Sequence, residues 1–94
     1  MAREQRLEPR KTFLVEHYRP GLDVAQLSNS IARVRKAVAE MERAGEPVRY
    51  LSATIVPNDE SFFCLIEAAS EGGVSDAYGR ADVPFERISA AICL

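Results

Sequence analysis

An α+β domain, a four-stranded antiparallel sheet with two helices on one side, is the fold class this sequence predicts. Three observations carry the prediction. Four runs of strand length, Lys11–Tyr18, Val48–Val56, Ser61–Ala68 and Arg87–Leu94, alternate with stretches of helical period. The first helical stretch places Val24, Leu27, Ile31, Val34, Val38 and Met41 at spacings of 3, 4, 3, 4 and 3, so all six fall on one side of a helix. The order of periods is β-α-β-β-α-β, and right-handed crossovers convert it into strand order 4-1-3-2 with both helices on one face, the ferredoxin-like arrangement.

Each element has its own local signal. Residues 1–11 are expected to form a flexible N-terminal arm, because alternating charges and one Leu beside a Pro bury too little to offset the entropy of ordering. Residues 12–94 then make a single ferredoxin-like domain. The first strand ends at Tyr18, broken by Arg19-Pro20-Gly21. Asp23 is the natural N-cap of the first helix, with Gln26 at capping-box spacing, and Gly45 with Pro47 marks its end. Pro57-Asn58-Asp59-Glu60 supplies turn chemistry between the second and third strands, which predicts a hairpin.

That hairpin sets a register: Val56 opposite Ser61, Ile55 opposite Phe62, Ala53 opposite Cys64, Leu51 opposite Ile66 and Tyr50 opposite Glu67. The second helix is expected over residues 71–80, capped at Ser70 and weakened by Gly72 and Gly73 in its first turn. Pro84 stops it, and the last strand follows with Ile88, Ala90 and Ile92 on one face.

The two sheet faces differ less than usual. Phe13, Val15, Leu51, Ile55, Phe62, Ile66, Ile88 and Ile92 are expected under the helices. The other face would present Leu14, Glu16, Tyr18, Tyr50, Val56, Phe63 and Leu65 beside Ser52, Thr54, Glu67 and Ser89. A sheet face open to water is normally polar, so large apolar groups in the middle strands predict a cover. A second copy about a two-fold axis is the expected cover, and a small-ligand cleft is the alternative.

Composition narrows the function. The chain has 94 residues and a net charge of −2 with both signs mixed, which argues against nucleic acid as a partner. No apolar run is long enough to span a bilayer and the first ten residues are charged, so a cytoplasmic protein is expected. Cys64 and Cys93 have neither redox nor zinc spacing and are expected as free thiols.

Few residues suggest chemistry. Glu16 and Glu67 are carboxylates within apolar strands, where a charge needs a partner, and both can ligate a metal or move a proton. Antiparallel pairing puts them at opposite ends of the sheet, so one site could use both only across a dimer. His17 is the single histidine, without His-x-x-x-His or Glu-x-x-His company. Tyr18 and Tyr50 complete the candidate ligand-binding groups of the outer face. No phosphate loop, nucleophile elbow or paired-cysteine motif is present.

The segments Phe13-Leu-Val-Glu-His-Tyr-Arg-Pro-Gly-Leu22, Val48-Arg-Tyr-Leu-Ser52, Phe63-Cys-Leu-Ile-Glu-Ala68 and Arg80-Ala-Asp-Val-Pro-Phe-Glu-Arg-Ile88 together resemble a family of small bacterial proteins. It is a domain-of-unknown-function family whose best-described branch binds nickel. The resemblance implies a ferredoxin-like fold, a homodimer, and nickel or another divalent metal as cofactor, with His17, Glu16 and Glu67 as candidate metal ligands. Metal-binding members carry a His in the helix before an Ala-Gly-x-Pro segment and more than one His near the end of the first strand. Here Tyr78 stands at that helix position and becomes a candidate ligand-binding residue, Asp82 replaces the Gly, and His17 alone remains.

The expected function is a homodimeric binding protein for a small ligand or divalent metal, joined through the open sheet face. A small dimeric α/β-barrel-type enzyme using the covered cavity, with His17 or a glutamate as base, and a protein-interaction module are the alternatives.

Overall fold

The computed structural model describes residues 10–94, so residues 1–9 of the expected arm lie outside the described residues. Its strands are β1 (Lys11–Tyr18), β2 (Val48–Val56), β3 (Ser61–Ala68) and β4 (Arg87–Ala91), and its helices are α1 (Val24–Arg43) and α2 (Glu71–Ala81). The sheet order is β2-β3-β1-β4 with every neighbouring pair antiparallel, which is the ferredoxin-like order expected.

Helix α1 forms where its stripe and cap place it. Asp23 Oδ1 accepts from the Gln26 backbone N–H at 2.9 Å, and Gln26 Oε1 accepts from the Asp23 N–H at 2.9 Å. The box satisfies two of the donors that a helix start otherwise leaves unpaired. Leu27, Val34, Val38 and Met41 are buried against the sheet, while Val24 stays half exposed at the entrance. At the far end Gly45 adopts φ +90, a conformation that costs a side chain but not a glycine. Helix α2 begins at Ser70, whose side chain makes no capping bond, and ends on Asp82 in a left-handed conformation. The Arg33 guanidinium of α1 donates to the carbonyls of Ala81 and Asp82 at 2.7 and 2.8 Å, pinning this end to the neighbouring helix.

The hairpin keeps its expected register from Val56–Ser61 to Ser52–Leu65 and then departs from it. A bulge at Leu51 pairs Tyr50 with Ile66 and Arg49 with Glu67. One extra residue inverts the side-chain alternation beyond it. Leu51, expected in the core, is therefore 40% exposed, and Tyr50, expected on the open face, packs against the core cluster. Val48 is fully buried as a result.

Strand β4 is also shorter than expected. Its ladder with β1 ends at Thr12–Ala91, one residue short of the start of β1 at Lys11. Ile92, expected under the helices, is consequently 87% exposed. Among the described residues no helix is long and apolar enough to cross a membrane.

Candidate functional site

The side chains that sequence reasoning singled out separate into two places. His17 shares the inward parity of Phe13 and Val15 on β1, and only 1% of its surface is exposed. Its ring stacks on Phe62 of β3 with centroids 3.7 Å apart. Nδ1 lies 2.8 Å from the Phe62 carbonyl oxygen and Nε2 lies 2.9 Å from the Tyr78 hydroxyl. A carbonyl can only accept, so Nδ1 carries the proton and Nε2 accepts from Tyr78. Burial, the dominant influence, pushes the His17 pKa down to about 4, against the upward pull of the Phe62 carbonyl and reinforced by Arg19. The ring is neutral at physiological pH.

The polar contact continues inward. Tyr78 on α2 is buried, and the Cys64 thiol of β3 and the Tyr50 hydroxyl of β2 lie close enough to its hydroxyl to influence its titration. Burial raises the pKa of all three groups, Tyr50 to about 12, so each keeps its proton. Tyr50 is capped on its outer side by the Arg35 guanidinium, 5.5 Å from the ring centroid. Phe85, in the segment before β4, meets Tyr78 edge-on at 5.4 Å.

The second place is the open face of the sheet. Leu14, Phe63 and Leu65 occupy its middle strands and are half buried, and Tyr18 at the end of β1 is 52% exposed. Both carboxylates there are paired. Arg87 grips Glu16 Oε2 with Nε at 2.9 Å and a terminal nitrogen at 2.7 Å, across the β1–β4 ladder. Glu67 lies 3.7 Å from Arg10.

These positions test the expected metal set. His17 and Glu16 are consecutive and so point to opposite faces of the sheet. Glu16 pairs with Phe63 and Glu67 with Thr12, four residues apart along the same ladder, about 13 Å at roughly 3.3 Å per residue. Among the described residues no three His, Cys, Asp or Glu side chains are grouped to hold a metal ion. The candidate ligands of a single chain do not fit nickel. Sequence reasoning also missed two members of the interior cluster's setting: Cys64, read only as a free thiol, and Phe85. The inward parity of Cys64 with Phe62 was visible, but its tyrosine neighbours stand on other elements.

Fold and site together define a small ferredoxin-like protein with a largely buried polar cluster under its helices and a partly apolar sheet face that no element among the described residues covers. Residues 13–90 match the family described as nickel responsive protein SCO4226-like, and the chain belongs to that family. The crystal structure of SCO4226 from Streptomyces coelicolor A3(2) has a similar fold, with a TM-score of 0.68, 23% identity, and coverage of 88% of this chain and 98% of that one. No curated protein matches the chain.

Proposed function

We propose that this chain is a cytoplasmic homodimeric binding protein whose two open sheet faces meet and hold a small ligand or divalent metal between them. The observation that carries the reading is the placement of Leu14, Phe63 and Leu65 in the middle strands of a face that no element among the described residues covers. Apolar groups so placed favour a partner surface, and a two-fold copy supplies one with the same character. Both carboxylates there are already paired with arginines, so the face carries little uncompensated charge into an interface.

Nickel as the ligand draws support from the family's description and none from the arrangement within one chain. Across a two-fold axis the Glu16 and Glu67 ends of two sheets can approach each other, and oxygen ligands are what such a site would offer. The free cysteines Cys64 and Cys93 suit a reducing compartment.

Sedimentation of the full chain tests the assembly. A dimer is expected, and Leu65→Lys should give a monomer with unchanged far-UV circular dichroism; a monomeric wild type overturns the reading. Calorimetric titration of the dimer with nickel, zinc and copper then separates a metal from an organic ligand.

A further inference from the structure

An imidazole binds a metal through an unprotonated nitrogen that the ion can reach, with other ligands around it. His17 has the unprotonated nitrogen but neither the access nor, among the described residues, the companion ligands. Its Nδ1 faces the Phe62 carbonyl and so carries the proton, and the lone pair of Nε2 points at the Tyr78 hydroxyl 2.9 Å away. The groove of about 410 Å³ between α2 and the Val83–Phe85 segment reaches Tyr78 but not the histidine behind it. Glu16, the adjacent residue, is on the far side of the sheet and held by Arg87.

The donors around His17 also form a sequence in which each is used once. The protonated Nδ1 donates to the Phe62 carbonyl, and the Tyr78 hydroxyl spends its one proton on Nε2. The direction is set at one end, by a carbonyl that can only accept.

We infer that Tyr78, His17 and the Phe62 carbonyl form one closed, directional hydrogen-bond chain that ties β1 and β3 to α2 and excludes metal from His17. A cation entering there would have to break the Tyr78–His17 bond and expose a buried hydroxyl without a partner, with only one imidazole nitrogen to gain. Any divalent ion that this protein binds is held without the histidine. The inference does not depend on dimerisation, since all three groups belong to one chain.

Because the sequence has a single histidine, long-range proton–nitrogen spectra of the tag-free full chain read this site directly. The expected spectrum is a neutral ring with the proton on Nδ1, whose signals stay sharp and unshifted when paramagnetic nickel is added in molar excess. Broadening or displacement of those ring signals by nickel overturns the inference. Tyr78→Phe frees Nε2 and is expected to move the Nε2 resonance without any metal; an unmoved resonance in the folded variant overturns the chain as drawn. Should that variant not fold, the nickel titration of the wild type decides alone.

Discussion

His17 of β1 and Tyr78 of α2 meet across the interior at 2.9 Å, a contact between residues 61 apart that joins the first strand to the second helix. Both side chains are about 1% exposed, and the histidine is neutral because burial opposes its charge. Stability therefore becomes sensitive to acid at one known atom.

The sign follows from the lowered pKa. The unfolded chain protonates its histidine near pH 6.5, whereas the folded chain resists until about pH 4. Between these values the unfolded state holds the extra proton, so the contribution of neutral His17 is full above pH 6.5 and is lost as the pH falls toward 4. The loss from this group is about 3 kcal/mol, at 1.36 kcal/mol per pKa unit. Urea unfolding at pH 7 and pH 4.5 should show the fall, and His17→Gln should flatten the pH dependence in that window. A pH dependence identical in the variant would contradict the assignment.

Tyr78→Phe keeps the ring against Phe85 and removes only the hydroxyl. It leaves a buried Nε2 acceptor unpaired, which costs about 1–3 kcal/mol. The midpoint of denaturant unfolding should drop while its slope is unchanged. A variant as stable as the wild type would mean that water or Cys64 replaces the lost donor.

Deletion of Leu51 addresses the bulge. Tyr50 already pairs with Ile66 and Ser52 with Leu65, so removing the residue between them leaves a regular ladder with both side chains on their present faces. The shortened protein should fold with Tyr50 still against the core, seen as cross-strand Tyr50–Ile66 proton contacts. Loss of those contacts would show that the bulge, not the flanking pairing, positions the tyrosine.

The parts of the fold that were readable in the sequence are those carried by local chemistry. Asp23 and Gln26 announced a helix start, and Pro57–Glu60 fixed the hairpin as far as Ser52. Tyr50 and Leu51 defeated the same reasoning because both are large and apolar, so alternation alone does not say which one turns inward. His17 stood in phase with Phe13 and Val15 and was legibly interior, yet its partners come from residues 62 and 78 and only the folded packing brings them together. The Glu16–Arg87 pair was hidden for the same reason, since it needs the β1–β4 register. The apolar open face was visible in outline from Leu14, Phe63 and Leu65, with Tyr50 wrongly included.

The bulge has a second effect, on how molecules of this protein can aggregate. Strand β2 is an outer strand, and its unpaired backbone groups are a template for a strand of another molecule. At Leu51 the even spacing of those groups is interrupted and the strand twists, so an incoming strand cannot stay in step along its length. Edge-to-edge pairing, which propagates into open filaments, is disfavoured there, whereas face-to-face pairing about a two-fold closes after two copies. One misaligned leucine works against endless edge-to-edge growth.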